Sequence, residues 1–540
     1  MRAPFSRTMF DLAREQAERY GDAPAIIDSE GVLSFAELSA SVQKLASALV
    51  AHAISRGDRI GILAQNRREW IEVALAAGAA GAVAVPFSTW STRQELDFLF
   101  RDSGIVLLFA STRFGDRDYA GDLGALLPSL AAGAGPDAPY PALREVILFD
   151  APPGAAFTSF ANFRASASDM ADLPPGVAAH AGDDGLVLYT SGSSAHPKAV
   201  RLLQHGIVEN GFNIGERQGY RPGDRVFLSP PLFWSYGSAN AMSAAFTHGA
   251  AVVLQDRFEP RGALDLIEAH RCTAIYTLPG MTAALLREPG FSKERVRSLR
   301  TGLTIGSPED VREAVEGLGA SELCNVYGAT ETYGNCCVTW HHWPLERRMN
   351  CQGPPLPGNE LRFVDIETGQ PVPHGEPGLA EVRGYITRGY SGASADQNEI
   401  AFSPDGFYRT GDVGRINDSG DFVFVGRHSE MIKRAGINVS PAEVENVLLL
   451  HPGVESAGVV GVPDRERGER VIAYVVAKAG HMPTAAELLA HCRAAASKYK
   501  IPDRIEVTSS LPTTPTGKLQ RRELKKIAIE QDTSGEPPRG

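Results

Sequence analysis

Residues 187–200 read VLYTSGSSAHPKAV, a strand-like run that opens into hydroxyl side chains, a glycine and one lysine. Hydroxyls, backbone N–H groups and a lysine are the donors that a polyphosphate needs. The common phosphate loop, however, has a second glycine before its lysine and Ser or Thr after it. Here Pro197 precedes Lys198, and Ala199 begins a run that predicts a strand. A nucleotide loop and a polar turn between two strands are both open at this point.

Four further stretches combine glycine with side chains suited to nucleotide chemistry. They are NVYGATET at 325–332, YRTGDVG at 408–414, VGRHSEMIKRAGINVSPAEVE at 425–445 and LPTTPTGKLQRREL at 511–524. The first places an aromatic ring, a hydroxyl and the carboxylate of Glu331 in one short segment. The second predicts that Asp412 lies in a turn after a strand.

The elements that must position these motifs alternate between helix and strand in the first part of the chain. Residues 36–54 predict a helix, 57–66 a buried strand, and 69–87 a helix that runs into a strand. This alternation predicts an α/β fold with mostly parallel sheets packed with helices. From about Asp405, short strands with Gly-Asp turns predict a β-rich subdomain. A helix with Ser440 as N-cap, a strand and a second helix then predict a small α+β domain.

These patterns divide the 540 residues into three parts. We expect a large N-terminal domain at 1–427, a small mobile C-terminal domain at 428–528 and a disordered tail at 529–540. The net charge of −11 and the absence of a basic stripe argue against nucleic-acid binding. No apolar run is long enough to predict a membrane span.

Cysteine and histidine spacing bears on compartment and on metal binding. The six cysteines show no CxxC spacing, which fits reduced thiols in a cytoplasmic enzyme. The pair His341-His342 lacks further metal-ligating residues nearby, so a surface loop is favoured over a zinc site. The N-terminal 21 residues predict an amphipathic helix and not a signal peptide.

The five motifs, taken in order, resemble those of the adenylate-forming superfamily. That superfamily contains acyl- and aryl-CoA synthetases, peptide-synthetase adenylation domains and firefly luciferase, and the pattern is most similar to acyl-CoA synthetases. The resemblance covers nearly the whole chain. It implies that an acyl carboxylate attacks the α-phosphorus of ATP, that pyrophosphate leaves, and that a thiol captures the acyl-adenylate. ATP, Mg²⁺ and coenzyme A are the implied cofactor and co-substrates.

The resemblance also implies roles for individual residues. Glu331 would hold Mg²⁺, Thr330 would donate to the α-phosphate, Tyr327 would pack on adenine and Asp412 would accept from both ribose hydroxyls. Lys518 would enter with the small domain during adenylation, as a mobile point charge. The implied ATP-binding set is Thr190, Ser191, Gly192, Ser193, Ser194, Lys198, Gly306, Ser307, Pro308, Asn325, Tyr327, Gly328, Thr330, Asp412, Arg427 and Lys518. For Arg427 a salt bridge at the domain boundary is the alternative.

By the same resemblance, PPLFWSYGSANA at 230–241 forms one wall of the acyl pocket. The implied lining is Phe233, Trp234, Tyr236, Gly237, Ile305, Gly328 and Tyr333. Trp234 is open to two interpretations, a gating residue of the pocket or an ordinary core tryptophan. No Asp near the start of this motif is placed to hold an amino group. A simple carboxylic acid is therefore favoured over an amino acid.

The chain departs from the family pattern at two places. Ala195 and Ala199 stand where glycines are usual, and a methyl group restricts a loop that needs positive φ. Ser429, followed by Glu430, stands where the hinge carries Asp or Lys, while Gly436 and Ile437 would line the coenzyme A tunnel. Adenylation is therefore better supported than thioester formation.

Three functions follow as hypotheses from these motifs. The leading one is an acyl-CoA synthetase that acts as a monomer or homodimer. The second is a stand-alone adenylating enzyme that passes its acyl group to a phosphopantetheinyl carrier protein or a partner enzyme. The third, a non-catalytic binding homologue, is disfavoured because Lys518, Glu331 and Asp412 are all retained.

Overall fold

The computed structural model describes residues 2–167, 173–174, 176–190, 197–306, 308–365, 368–427, 432–439, 441–512 and 519–534. The described chain forms two compact units. The first contains the described residues of Met1–Thr89, Leu99–Tyr189 and Ala199–Gly426. The second contains those of Trp90–Phe98, Thr190–Lys198 and Arg427–Gly540.

Helices and strands alternate through most of the described chain. The α-helices are α1 (Met9–Tyr20), α2 (Phe35–Ala51), α3 (Arg68–Ala79), α4 (Arg93–Ser103), α5 (Tyr119–Leu126), α6 (Pro128–Ala131), α7 (Phe160–Ala165), α8 (Gln204–Gln218), α9 (Ser243–Thr247), α10 (Pro260–Ala269), α11 (Pro279–Arg287), α12 (Pro308–Arg312), α13 (Leu345–Asn350), α14 (Asn398–Ala401), α15 (Pro441–Leu449), α16 (Ala485–Ala495) and α17 (Arg521–Ser534). Short π-helical segments lie at Tyr236–Met242 and Glu313–Gly317, and 3₁₀ turns at Thr330–Thr332, Gly392–Gln397 and Lys498–Lys500.

The strands are β1 (Pro24–Asp28), β2 (Gly31–Ser34), β3 (Arg59–Leu63), β4 (Val83–Pro86), β5 (Leu107–Ala110), β6 (Arg113–Phe114), β7 (Arg117–Asp118), β8 (Glu145–Leu148), β9 (Thr158–Ser159), β10 (Asp184–Thr190), β11 (Lys198–Leu203), β12 (Arg225–Leu228), β13 (Ala251–Leu254), β14 (Ala274–Tyr276), β15 (Thr301–Thr304), β16 (Cys324–Tyr327), β17 (Cys337–Val338), β18 (Glu360–Val364), β19 (Gly378–Arg383), β20 (Tyr390–Ser391), β21 (Tyr408–Ile416), β22 (Phe422–Arg427), β23 (Ile432–Arg434), β24 (Ile437–Val439), β25 (Val454–Asp464), β26 (Gly468–Ala477) and β27 (Arg504–Thr508).

Two eight-stranded sheets organise the first unit. Their strand orders are β17-β16-β15-β14-β12-β13-β1-β2 and β20-β11-β10-β4-β3-β5-β8-β9. Most inner pairs are parallel, for example β14 with β15 and β3 with β4, whereas the edge strands β2, β17 and β20 pair antiparallel. One continuous apolar core contains residues of both sheets and of helices α1, α2, α3 and α8. This arrangement confirms the predicted α/β class with mostly parallel sheets.

A β-rich part completes the first unit, and the second unit is α+β. The β-rich part is a sheet of order β18-β19-β21-β22, with antiparallel pairing of β18 with β19 and of β19 with β21. In the second unit, β24-β23-β26-β25 form a sheet in which β27 also pairs with β26. Helices α15 and α16 contribute Val444, Leu448, Leu488 and Cys492 to the core of this sheet.

Local sequence signals account for several helix boundaries. A capping box begins α2, because Ser34 Oγ accepts from the Glu37 N–H while the Glu37 carboxylate accepts from the Ser34 N–H at 2.8 Å. Thr484 and Glu487 begin α16 in the same way. The predicted helix at 36–54 and the predicted strand at 57–66 are confirmed as α2 and β3. Ser440, the predicted N-cap of α15, lies outside the described residues.

The predicted disordered tail begins too early. Helix α17 continues to Ser534, so residues 529–534 are helical. Tyr474 Oη donates to Gln531 Oε1 at 2.6 Å, and Ala528 is fully buried in an apolar cluster with Ile529 packed against it. These tertiary contacts stabilise a polar helix end that the sequence composition does not favour.

No helix in the described ranges of the chain has both the length and the apolar character needed to cross a membrane. All six cysteines are free and buried. His341 Nδ1 lies 2.9 Å from Glu322 Oε2, while His342 is exposed.

Candidate active site

Glu331 lies on a tightly turned loop at the end of a parallel strand. Strand β16 ends at Tyr327, and Gly328 follows at a point where a Cβ atom would overlap the backbone of Gly334 and Asn335. A 3₁₀ turn then carries Thr330 and Glu331. Only glycine allows the two arms of this loop to approach so closely. The loop therefore presents Thr330 and Glu331 side by side at the edge of the sheet.

The carboxylate of Glu331 is buried and held by a tyrosine. The residue is 8% exposed, and its Oε1 accepts a hydrogen bond from Tyr390 Oη at 2.9 Å. Tyr390 Oη also lies 3.4 Å from Tyr408 Oη. Burial, and then the charge of Glu331, raise the pKa of Tyr390, so this phenol remains a donor. The structure therefore excludes an exposed surface position for Glu331.

Tyr327 and Asp412 form a second buried tyrosine–carboxylate pair. Tyr327 Oη donates to Asp412 Oδ2 at 2.9 Å, and Asp412 is 3% exposed. The ring of Tyr327 packs against Phe422 with 4.3 Å between the ring centroids. Burial, and then the charge of Asp412, raise the pKa of Tyr327 well above its usual value. Two residues of the predicted nucleotide site are thus in direct contact.

Asp412 does not lie in a turn after a strand, as the sequence pattern predicted. It lies within β21, in a bulge where residues 410–412 stand opposite Ala380. Gly411 adopts φ +73° there, and Thr410 Oγ1 donates to the Ala380 carbonyl at 2.7 Å. A glycine with positive φ signals a turn or a bulge equally well, and the pairing with β19 decides between them.

Thr330 contacts the segment predicted to form the acyl pocket. Its Oγ1 lies 3.1 Å from Ser235 Oγ, directly after Trp234. Trp234 is partly exposed, and its ring meets that of Phe233 edge-on. The Trp234 carbonyl accepts from the backbone of Gly237 at 3.1 Å. The structure thus brings the predicted phosphate-binding hydroxyl next to the predicted acyl pocket.

Asn66 fixes the loop that precedes Trp234. Its Nδ2 donates to the carbonyls of Ser229 and Pro230 at 3.3 and 3.1 Å, and its Oδ1 accepts from the Leu232 N–H at 2.8 Å. This loop approaches Gly237 closely enough that a Cβ atom there would overlap the Pro231 carbonyl. Sequence reasoning missed this role for Asn66, because nothing in its local pattern points to a loop 163–166 residues away.

Other predicted pocket and nucleotide residues have structural contacts of their own. Tyr236 Oη donates to the carbonyls of Thr277 and Leu303 at 3.3 and 3.1 Å. Tyr333 adopts φ +56°, and its Oη accepts from the Leu203 N–H at 2.9 Å at the start of α8. Asn325 Nδ2 donates to the carbonyls of residues 348 and 351 at 3.1 and 3.0 Å. Their contacts with substrate remain predictions.

The glycine-containing loop after β15 is partly described. Ile305 packs against the main core, Gly306 has φ +142° and faces Asp310, and Pro308 begins α12. Ser307 lies outside the described residues.

The predicted phosphate loop connects neighbouring strands. Thr190 ends β10, Lys198 begins β11, and the two strands are adjacent in the sheet. Ala199 pairs with Ser391 inside β11, and it is not one of the described residues with positive φ. The alanine at 199 therefore imposes no strain on the backbone. Ser191, Gly192, Ser193, Ser194 and Ala195 lie outside the described residues.

The remaining predicted residues belong to the second unit or its boundary. Arg427 ends β22, Gly436 has φ +80° in the turn between β23 and β24, and Ile437 begins β24. Ser429, Glu430 and Lys518 lie outside the described residues. Sequence reasoning also missed Tyr390 and Ser235. Ser235 lies inside the quoted segment PPLFWSYGSANA, and Tyr408, which lies beside Tyr390, begins YRTGDVG, whereas Tyr390 lies in none of the quoted motifs.

Comparison with known families accounts for this combination of motifs and fold. The family model described as "AMP-binding enzyme" matches residues 13–391, and "AMP-binding enzyme C-terminal domain" matches residues 443–518.

The chain belongs to the AMP-binding enzyme family.

Its relatives include ligases of acids with coenzyme A. Mouse (Mus musculus) mitochondrial medium-chain acyl-CoA ligase ACSF2 is 32% identical over 529 residues, covering 94% of this chain and 85% of the relative. The putative acyl-CoA synthetase YngI of Bacillus subtilis is 29% identical, with 97% of each chain covered. The resemblance to adenylate-forming enzymes is thereby confirmed.

Two solved structures share the fold. A double mutant of o-succinylbenzoate CoA synthetase from Bacillus subtilis superposes with a TM-score of 0.79 and 27% identity, covering 95% of this chain and 98% of that one. The amide bond synthetase McbA from Marinactinospora thermotolerans gives a TM-score of 0.78 and 25% identity, covering 96% and 99%.

Proposed function

We propose that this AMP-binding enzyme is an acyl-CoA synthetase that works in two half-reactions. In the first, a carboxylate oxygen of the acid bonds to the α-phosphorus of ATP, and the bond to pyrophosphate breaks. In the second, the thiolate of coenzyme A bonds to the acyl carbon, and AMP leaves. The observation that carries this proposal is that Glu331 and Asp412, which stand in two of the family's motifs, are both buried carboxylates that accept a hydrogen bond from a tyrosine.

Glu331 has the surroundings expected of a magnesium ligand. Its carboxylate accepts from the phenol of Tyr390, and the preceding residue, Thr330, has its hydroxyl 3.1 Å from that of Ser235. Mg²⁺ takes oxygen ligands and commonly uses one or two carboxylates together with substrate phosphates. Glu331 would hold the ion, which would neutralise charge on the triphosphate. Tyr390, by donating to Oε1, would leave the other carboxylate oxygen oriented toward the ion.

Asp412 suits the ribose of ATP. A buried ionised carboxylate accepts strong hydrogen bonds from hydroxyl donors, and Tyr327 already supplies one. We propose that Asp412 accepts from the ribose hydroxyls while the ring of Tyr327 lies beside adenine. Thr330, next to Glu331, would donate to the α-phosphate.

The remaining assignments rest on the sequence motifs. We propose that Lys518 contacts the acid and the α-phosphate during adenylation, that Lys198 and residues 190–194 bind the β- and γ-phosphates, and that Arg427 lies near the ribose. The domain that carries Lys518, residues 428–528, would rotate at Ser429 and Glu430, so that Gly436 and Ile437 line the path of coenzyme A. The free buried cysteines fit a cytoplasmic enzyme, which we propose acts as a monomer or homodimer.

Pyrophosphate release across a panel of carboxylic acids tests the first half-reaction. We expect release that requires the acid, ATP and Mg²⁺ together. Acyl-CoA formation, measured by mass spectrometry after adding coenzyme A, tests the second. Absence of pyrophosphate release with aliphatic, aromatic and polycyclic acids alike would refute the proposal.

Lys518→Ala separates the two half-reactions. Pyrophosphate release should fall about 10²-fold or more, because the positive charge at the α-phosphate is lost. The variant, when given ready-made acyl-adenylate, should transfer the acyl group to coenzyme A at nearly the parent rate. Equal losses in both assays would instead indicate a structural role for Lys518.

A different acyl acceptor is the second candidate, and one similarity favours it. McbA, which is an amide bond synthetase, has the same fold across 96% of this chain. The hinge serine at 429 also departs from the family pattern. Acyl-adenylate formation without acyl-CoA, combined with transfer to an amine or to a phosphopantetheinylated carrier protein, would establish this alternative.

A further inference from the structure

Ser235 carries a buried hydroxyl whose partner is Thr330. Ser235 Oγ and Thr330 Oγ1 lie 3.1 Å apart, and Ser235 is 8% exposed whereas Thr330 is partly exposed. Within the described residues, neither hydroxyl has a hydrogen bond other than this one. The orientation of the more accessible Thr330 hydroxyl is therefore set by a buried serine.

The backbone on both sides of Ser235 is held in place. The Trp234 carbonyl accepts from the N–H groups of Gly237 and Ser238 at 3.1 and 3.0 Å, and from Ser238 Oγ at 2.9 Å. The Ser235 carbonyl accepts from the Asn240 N–H at 2.9 Å, which is the i+5 spacing of a π-helix. Such π-helical turns are rare and frequently lie at functional sites. These bonds fix the position from which the Ser235 side chain starts.

Ser235 and Thr330 are both positioned by one sheet. Tyr236 Oη, on the residue after Ser235, donates to the carbonyls of Thr277 and Leu303 at 3.3 and 3.1 Å. Leu303 lies in β15, and β15 pairs in parallel with β16, after which comes the turn that carries Thr330. The hydrogen bond therefore joins two groups that neighbouring strands hold in place without any bound substrate.

The proposed role of Thr330 decides which hydroxyl of the pair donates. A hydroxyl has one proton to donate and two lone pairs that accept. If Thr330 donates its proton to the α-phosphate, its Oγ1 can only accept from Ser235. The Ser235 proton then lies between the two oxygens, and the Thr330 proton is directed to the phosphate. Consecutive hydrogen bonds of this kind polarise one another.

We infer that Ser235 is a positioning residue for adenylation, because it donates to Thr330 Oγ1 and orients the Thr330 hydroxyl toward the α-phosphate. This inference rests on the proposed function, and it gives a role to a residue outside the predicted nucleotide and acyl sets. Preorganised donors act most strongly where charge develops in the transition state. Loss of the Ser235 hydroxyl should therefore lower kcat and leave KM for ATP and for the acid nearly unchanged.

Two pairs of variants isolate the Ser235 hydroxyl in the pyrophosphate-release assay. Ser235→Ala removes it from the parent, and Ser235→Thr differs from the equally large Ser235→Val by a hydroxyl alone. We expect kcat to fall about 3- to 10-fold in Ser235→Ala, as for one neutral hydrogen bond, with both KM values within about two-fold. Ser235→Thr should exceed Ser235→Val by a similar factor. Thermal melts measure folding, and the comparison of Ser235→Ala with the parent decides if threonine does not fit.

Equal kcat values for the parent and Ser235→Ala would overturn the inference. A higher KM for the acid or ATP with unchanged kcat would overturn it as well, because Ser235 would then serve binding and not the reacting phosphate.

A double-mutant cycle tests whether Ser235 acts through Thr330. Thr330→Val alone should lower kcat about 10²-fold, because it removes a donor to the reacting phosphate. Adding Ser235→Ala to this variant should change kcat by less than about two-fold, since the group that Ser235 positions is already absent. Losses that multiply would mean that the two residues act independently, and that result overturns the inference.

Ser238→Ala is the matched control in the same segment. Ser238 is fully buried, and its hydroxyl donates to the Trp234 carbonyl and not to Thr330. Its effect on kcat should be the same with and without Thr330→Val. If the effects of both serines depended equally on Thr330, a general loosening of the segment would explain them, and the inference would fall. No pyrophosphate release from the parent with any acid would instead refute the proposed function itself.

Discussion

The two tyrosine–carboxylate pairs of the first unit, Glu331 with Tyr390 and Asp412 with Tyr327, have similar hydrogen bonds but lie on different backbone elements. Glu331 is on a 3₁₀ turn at the end of a parallel strand, and it is held from the opposite eight-stranded sheet by Tyr390 on β20. Asp412 is in a bulge of the antiparallel sheet, and it is held by Tyr327 at the end of β16. Each bond is 2.9 Å long.

The surroundings of the two pairs differ in a way that fits different ligands. Asp412 and Tyr327 adjoin aromatic rings, with Phe422 and Phe424 beside Tyr327. Glu331 and Tyr390 adjoin hydroxyl groups, including Tyr408 and, through Thr330, Ser235. An aromatic setting suits a nucleoside, and an oxygen-rich setting suits a hydrated cation. The comparison therefore predicts that substitutions in the Glu331–Tyr390 pair affect Mg²⁺ use. Substitutions in the Asp412–Tyr327 pair should affect nucleotide binding.

Glu331→Ala should give the largest effect. Turnover should fall about 10²–10³-fold, because the protein loses the one carboxylate proposed to hold the ion. Pyrophosphate release measured over a range of Mg²⁺ concentrations checks this. A variant with unchanged turnover at limiting Mg²⁺ would contradict the assignment.

Asp412→Ala should act mainly on ATP binding. The ribose contacts exist in the ground state and the transition state alike, so KM for ATP should rise about 10- to 100-fold with a smaller change in kcat. Steady-state kinetics with varied ATP checks this. A defect confined to kcat, with ATP affinity intact, would contradict the proposal that Asp412 serves ATP binding while Glu331 serves Mg²⁺ use.

Tyr390→Phe and Tyr327→Phe form a matched pair with a smaller effect. Each removes one phenol that donates to a carboxylate and leaves the ring in place, and a hydrogen bond to a charged group contributes about 1.5–3 kcal/mol. Tyr390→Phe should raise the Mg²⁺ requirement about 10-fold, and Tyr327→Phe should raise KM for ATP by a similar factor. Thermal melts of both variants provide the control for stability. Identical changes in Mg²⁺ and ATP dependence would show that the pairs are not specialised.

Trp234→Ala should leave ATP and Mg²⁺ dependence within about two-fold, because Trp234 belongs to neither pair. The acid range should widen, as measured by pyrophosphate release with bulkier acids. A loss of about 3–5 kcal/mol in the free energy of unfolding, with an unchanged acid range, would instead indicate a core tryptophan.

Local patterns in the sequence predicted most of the elements and the order of the motifs. The helix at α2, the buried strand β3 and the strand after Lys198 follow from periodicity and capping. These signals succeed because hydrogen bonds within a helix and the alternation of a strand involve residues close in sequence. The bulge at Gly411 was mistaken for a turn because the pairing with β19 is not a local property.

The sequence by itself determined that Glu331 and Asp412 stand in motifs that resemble those of adenylate-forming enzymes. Tertiary structure alone decided what holds them and what lies beside them. The hydrogen-bonded residues are far apart in sequence. Tyr390 and Glu331 are separated by 59 positions, Tyr327 and Asp412 by 85, and Asn66 and Leu232 by 166. Such contacts depend on the order of strands within the sheets and on the packing of the sheets together. No window of neighbouring residues contains that information, because long-range contacts are set by the whole fold.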